Sequence, residues 1–159
     1  MANNAPDDYG PDEGFLYSCL FFTANRLGRA ITRIAEEEFA PTGLTPMYGY
    51  AIRLVNGKPG ITQKELAEKL SIAPSTLTRF VDKLEGKQLV RRSVQGKTVL
   101  LYPMPKGEAL EGKIRLASKR LAARYKAILG AAEANALSAG VLDAGTRLEK
   151  GGLADAHDA

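Results

Sequence analysis

The chain is poor in the residues that build metal and redox centres. Among 159 residues it has one cysteine and one histidine. A single cysteine excludes an intrachain disulfide and any Cys-rich metal cluster. The lone histidine, His157, lies in the last few residues, which argues against a His-based metal site. No cofactor or metal is expected. Long apolar runs are missing too: nothing approaches the ~20 residues that a membrane-spanning helix needs. The first residues, MANNAPDDYGPDE, are acidic rather than a basic start followed by an apolar stretch, so they do not read as a secretory signal and the expected location is the cytoplasm. No internal repeat is visible.

What is present is an ordinary globular composition, 45% apolar and 25% charged, of a length that suits one domain with a proper core. The net charge is +4, but its distribution says more than its size. Residues 58–120 carry 14 Lys and Arg against 6 Asp and Glu, an excess of 8 positive charges. Residues 1–14 and 151–159 contain acidic side chains and no Lys or Arg. A basic middle between acidic ends points to a polyanion-facing surface on the central segment.

Residues 1–13 are expected to be a disordered leader, since their two prolines, one glycine and acidic residues cannot bury apolar area. From Gly14 to about Phe39 apolar residues recur at helical spacing through Phe15, Leu16, Cys19, Leu20, Phe22, Leu27, Ile31, Ile34 and Phe39. The first two turns of this helix are apolar nearly all round, which predicts burial on more than one side. In a chain this small the second covering surface is expected to be another subunit. Pro41 and Gly43 end the helix. Thr45 and Pro46 start the next as N-cap and first-turn proline, and Asn56-Gly57 stops it.

The stretch from Ile61 to Tyr102 organises the rest. Thr62-Gln63-Lys64-Glu65 has the form of a capping box, with the threonine hydroxyl accepting from the Glu65 amide and the Glu65 side chain reaching back. Leu66, Ala67 and Leu70 then face inward. Ser71-Ile72-Ala73 forms a turn and Pro74 opens a further helix, in which Leu77, Val81 and Leu84 share one face. Ser75, Thr76, Thr78, Arg79, Asp82 and Lys83 project from the remainder. Small hydroxyls let a helix approach a groove closely, and an arginine can bond a guanine edge bidentately. Leu89–Ser93 and Thr98–Tyr102 read as strands around a Gly-Lys turn, and Arg91, Arg92 and Lys97 make that hairpin basic, suited to phosphate or minor-groove contact. Helix, helix, strand, basic turn, strand is the outline of a winged helix-turn-helix, which places one helix in a DNA major groove and a loop beside the phosphates. A long basic helix from about Lys106 to Leu129 and a last one from about Ala132 to Glu149 complete the chain before a tail at 151–159.

Several of these segments resemble the MarR family of bacterial winged-helix regulators. They are Gly43-Leu44-Thr45-Pro46, Gly60-Ile61-Thr62-Gln63-Lys64-Glu65-Leu66-Ala67, Ser75-Thr76-Leu77-Thr78-Arg79 with Val81-Asp82-Lys83-Leu84-Glu85, Leu89-Val90-Arg91-Arg92 and Lys106-Gly107. The resemblance spans about residues 14–150 and implies one mainly α domain with a small β wing. Its winged lobe at 45–103 would be flanked by dimerisation helices at 14–40 and 106–150. It also implies a homodimeric DNA-binding repressor on a palindromic operator, released by a small, often aromatic or phenolic, effector. DNA contacts are expected from Thr62, Ser75, Thr76, Thr78, Arg79, Lys83, Arg91, Arg92 and Lys97. The effector pocket implied between lobe and dimer core would take Phe22, Arg26, Met47, Tyr48 and Ile52, for which plain core packing is the competing reading. Many family wings carry an acidic residue and an arginine at the tip. Here Ser93-Val94-Gln95-Gly96-Lys97 has neither at the turn, and lysine lacks the flat fork that fits a narrow groove.

Three further readings stand beside this one. A peroxide-sensing branch of the family uses a cysteine early in the first helix, so Cys19 is either a redox switch or a small buried hydrophobe. A winged helix can also serve as a protein-docking module without specific DNA binding. An enzyme is not expected: Gly96-Lys97-Thr98 resembles the end of a phosphate-binding loop, but the glycine that loop needs five residues earlier is Arg91.

Overall fold

The computed structural model describes residues 13–154; the leader expected at 1–13 and the last five residues of the expected tail fall outside that range, apart from Glu13. A short helix α1 (Gly14–Ser18) leads into α2 (Leu20–Phe39), a 3-10 turn (Ala40–Thr42) and α3 (Pro46–Gly57). Then come strand β1 (Ile61–Thr62), α4 (Gln63–Leu70), α5 (Pro74–Gly86), and strands β2 (Val90–Gln95) and β3 (Thr98–Pro103). Three helices follow: α6 (Pro105–Ala109), α7 (Glu111–Leu129) and α8 (Ala131–Ala154). The architecture is mainly α with a small antiparallel sheet in the order β1-β3-β2.

One core joins these pieces. Phe39 from α2, Ile52 and Val55 from α3, Leu66 from α4, Leu77, Val81 and Leu84 from α5, Val90 and Leu101 from the sheet and Ile114 from α7 are all essentially inaccessible to solvent. Side chains of this kind each stabilise the fold by roughly 1.5–3 kcal/mol relative to an exposed position. The seam Leu77–Val81–Leu84 fixes α5 from behind, so its other faces point outward.

The wing is closed by a two-residue connection. Gln95 pairs with Thr98 and Val90 with Pro103, and Gly96 takes the left-handed backbone (φ 61°) that such a turn requires. β1 was not foreseen: Ile61 and Thr62 read as the lead-in to a helix, yet they pair with Leu101 and Leu100. This third strand ties the start of α4 to the wing.

Local details differ from the sequence reading. The first helix is broken at Cys19, whose backbone is extended (φ −85°, ψ 118°). The long helix after the wing is also split, with Leu110 between α6 and α7. Half of the expected capping box forms. Thr62 Oγ1 accepts from the Glu65 amide at 3.0 Å, but the Glu65 carboxylate takes the Lys58 ammonium at 2.7 and 2.8 Å instead of turning back. A charge-assisted bond to ammonium outweighs one to a backbone amide. Thr45 occupies the N-cap position of α3 without a side-chain bond. Gly140 and Gly145 do not interrupt α8, which continues through Gly151 to Ala154.

The expected two-sided burial of the N-terminal helix is not met within one chain. Phe15, Leu20 and Phe21 are exposed, as are Leu137, Val141, Leu142 and Leu148 on α8. Among the described residues of α8 only Ala134 is buried. These helices display an apolar surface that one copy of the chain cannot cover.

Candidate nucleic-acid interface

Pro74 starts α5 with its φ preset, and Ser71 (φ 52°) supplies the left-handed residue that ends α4. The resulting short turn throws α5 out as the exposed member of the pair. Ser75, Thr76, Arg79 and Lys83 stand exposed on it. Among the described residues nothing forms a hydrogen bond or ion pair with Arg79, so its guanidinium keeps all its donors for a partner. Lys83 lies 5.9 Å from the ring centre of Tyr48, which in turn stacks on Phe80 at 4.4 Å.

Two of the expected contact residues hold the lobe together. Thr78 Oγ1 accepts from Gln63 Nε2 at 2.9 Å and donates to the Pro74 carbonyl at 3.0 Å, which pins the first turn of α4 to α5. Thr62 is occupied in capping α4.

The wing divides its charges between binding and bracing. Lys97 is exposed at the tip. Arg91 is exposed on β2, with its guanidinium carbon 4.4 Å from the Tyr102 ring centre across the β2–β3 pair. A cation over a ring face at this distance is attracted to it. Arg92, also expected as a DNA contact, is engaged within the lobe. Its guanidinium bonds Asp82, lies 3.6 Å from a Glu85 carboxylate oxygen and donates to the Thr78 carbonyl at 3.4 Å. Its backbone amide donates to Glu85 at 3.3 Å. Thr78, Asp82 and Glu85 lie on one face of α5, so Arg92 clamps the base of the wing to that helix. Two carboxylates face its charge.

Between wing and helices runs a cleft of about 410 Å³ lined by Thr62, Gln63, Lys64, Pro74, Lys97 and Val99 among others. Two lysines flank it. Arg79, Lys83 and Arg91 are exposed on the same lobe, and cations of this kind suit a polyanion.

The residues expected to line an effector pocket are dispersed. Phe22 meets Tyr17 edge-on at 5.8 Å, and Arg26 lies over the same ring at 5.7 Å. Tyr48 belongs to the Phe80–Lys83 group. Met47 is half-buried in the first turn of α3. Ile52 is fully buried in the core. Cys19 is exposed, at the break between α1 and α2, and not the buried hydrophobe of the competing reading.

A mixed cleft elsewhere was missed by sequence reading. Tyr50, Arg53 and Leu54 of α3, Lys69 and Leu70 of α4 and Arg115 of α7 surround about 350 Å³. Burial raises the Tyr50 phenol above its ordinary pKa. The residues come from three helices far apart in sequence, and only the interval of three between Tyr50 and Arg53 was available as a local signal.

Comparison with known proteins agrees with this geometry. Residues 51–95 match the model of the MarR family. The chain is 26% identical over 113 residues to the HTH-type transcriptional repressor Rv2887 of Mycobacterium tuberculosis, covering 71% of this chain and 76% of that protein. The repressor CouR bound to p-coumaroyl-CoA superposes with a TM-score of 0.74 at 26% identity over 81% of this chain and 93% of that one. CouR bound to a 23-mer DNA duplex gives a TM-score of 0.75 at 24% identity, over 86% and 99%. The seam that fixes α5, the three-stranded wing beside it and these likenesses lead to one conclusion: residues 51–95 carry a MarR-family match, in a chain with the winged helix-turn-helix fold of MarR regulators and similar in sequence to HTH-type transcriptional repressors.

Proposed function

We propose that the protein is a ligand-responsive repressor that binds a palindromic operator as a homodimer in the cytoplasm. The observation that carries the reading is the outward face of α5, where Ser75, Thr76 and Arg79 stand exposed beside the cationic wing. Arg79 would read a guanine edge and Ser75 and Thr76 would let the helix sit deep in the major groove. Lys83, Arg91, Lys97 and Lys64 would take phosphates, while Thr62, Thr78 and Arg92 hold these groups in place. The reading assigns no catalytic group.

The dimer rests on the apolar surface of the outer helices. Leu27 and Ile31 of α2, Tyr125 and Leu129 of α7 and Leu137 and Val141 of α8 border a groove of about 410 Å³. A second copy is the natural cover, since two-fold pairing matches the same patch with itself. Two lobes related in this way require two related half-sites about one helical turn apart. Responsiveness to a small molecule is supported by solved relatives bound to p-coumaroyl-CoA and to salicylic acid. The segments at 14–40 and 106–150 would form the dimer frame and 45–103 the DNA-binding lobe.

Selection of bound sequences from random duplex DNA tests the reading. The expected product is a pair of inverted half-sites whose enrichment is lost in Arg79→Ala. A single asymmetric site, or no enrichment, would overturn it. Exposure of Cys19 supports a second mode of release, by oxidation. Under organic hydroperoxide, Cys19→Ser should then stay on DNA while the parent protein leaves. Equal release from both would end that mode.

A further inference from the structure

Gln63 opens α4 and lines the cleft between the helices and the wing, half-buried beside Lys64, Pro74 and Lys97. It is not among the DNA contacts proposed above. A short chain of hydrogen bonds fixes which end of its amide faces where. The Pro74 carbonyl can only accept, so the single hydroxyl proton of Thr78 goes to it, at 3.0 Å. Thr78 Oγ1 must then accept from Gln63, and it does so from Nε2 at 2.9 Å. The nitrogen end of the amide therefore faces α5, and the carbonyl end is left over. Gln63 Oε1 is bonded to nothing among the described residues and is not buried.

A free carbonyl at this place limits what can sit opposite it. Phosphate oxygens are acceptors as well, so the group does not suit the DNA backbone as Lys64 and Lys97 do. On the major-groove edge of the bases the donors are the amino groups of adenine and cytosine, whereas guanine and thymine present only acceptors. Ser75 lies three residues before Thr78 and so neighbours it on the surface of α5, where both are exposed. The Gln63 amide is thus bonded to the outward part of the helix that carries Arg79. Arg79 can only donate and suits the acceptors of guanine; the open end of Gln63 can only accept.

We propose that Gln63 is a specificity-determining residue: its carbonyl accepts from the exocyclic amino group of one adenine or cytosine in each half-site, and Thr78 is the positioning residue that keeps the amide from turning over. The inference rests on the DNA-binding reading above and adds to it a base contact from α4, the helix before the reading helix. An unrestrained glutamine uses both ends of its amide and pairs with adenine bidentately. This one has its donor end occupied, so it separates adenine and cytosine from guanine and thymine without telling the first two apart. One hydrogen bond of this kind sets a preference of about three- to tenfold.

Selection from random duplex DNA, with the full chain and with Gln63→Ala, Thr78→Val and Thr78→Ser, tests the assignment. The parent protein should select half-sites with one position restricted to adenine or cytosine. Gln63→Ala should lose that restriction and keep the others. Thr78→Val retains the shape but not the hydroxyl; the amide is then free to turn over, and guanine and thymine should enter at the same position. Thr78→Ser, which restores the hydroxyl, should restore the restriction. A residue that only holds the lobe together would lower melting and affinity for all sequences alike and leave the selected site unchanged, and that result would overturn the proposal. So would equal weakening of operator and random duplex in Gln63→Ala, the mark of a phosphate contact, or a position restricted to guanine or thymine that Gln63→Ala relaxes. Base analogues give a check on the parent protein itself. Purine in place of the selected adenine, or pyrimidinone in place of the cytosine, lacks the amino group; binding should weaken by about three- to tenfold in the parent and stay level in Gln63→Ala. Equal losses in the two proteins would also overturn the contact. Failure of the parent protein to select any site is a separate result, which would reject the DNA-binding reading on which the contact depends.

Discussion

Replacing Arg92 by glutamine separates a brace from a DNA contact. The guanidinium is about one quarter exposed, its partners Asp82 and Glu85 about half. At that exposure each ion pair is worth about 0.2–1 kcal/mol. Two pairs and the bond to the Thr78 carbonyl together suggest a loss of about 1–2 kcal/mol of folding stability, a fall in melting temperature of roughly 2–8 °C for a chain of this size. Affinity for the operator should also drop, because the wing is no longer held against α5. The cause is visible in the salt dependence. A side chain that neutralises a phosphate contributes about 0.9 to the slope of log K against log salt. Lys97→Gln should lower the slope by about that much with no change in melting. Arg92→Gln should lower melting and affinity and change the slope by clearly less. Asp82→Asn supplies an opposite sign: a brace predicts weaker discrimination of operator from random DNA, whereas a freed Arg92 contact predicts stronger binding to both. Unaltered melting in Arg92→Gln, with a slope loss equal to that of Lys97→Gln, would refute the brace.

Other outcomes follow from single observations. Arg79→Ala should cost about 1–3 kcal/mol of specific binding while non-specific binding falls far less, as measured by competition between operator and random duplex. Gly107→Ala places a Cβ 2.1 Å from the Leu89 carbonyl oxygen; the backbone must move, and destabilisation of about 1–3 kcal/mol is expected in a denaturant titration. Leu142→Asp, on the exposed face of α8, should shift sedimentation from dimer to monomer with helix content retained. The phenolate absorbance of Tyr50, isolated as the difference from Tyr50→Phe, should appear above the ordinary tyrosine range, because burial raises its pKa. The sign follows from linkage. The native state holds this proton more tightly than the unfolded chain, so its contribution is complete below the ordinary tyrosine value near 10 and is lost as pH climbs through the native value.

The parts of this protein that could be read from the chain are those set by local rules. Pro74 and the Leu77–Val81–Leu84 spacing define α5, and Gly96-Lys97 the wing turn, without help from distant residues. What escaped depends on partners far away in sequence. β1 needs β3 opposite it to be a strand. Glu65 was assigned to Thr62, three residues away, but Lys58 offers a full charge across the preceding turn. Arg92 resembled its neighbour Arg91 in every property visible in the chain. Alternation along β2 sends one outward over Tyr102 and the other inward to Asp82 and Glu85. The same limit explains the effector residues. Phe22, Tyr48 and Ile52 have suitable chemistry one at a time, whereas the cleft around Tyr50 exists only once α3, α4 and α7 meet. Adjacent like charges on a wing strand therefore carry different roles, one able to face a phosphate and one holding the strand that presents it.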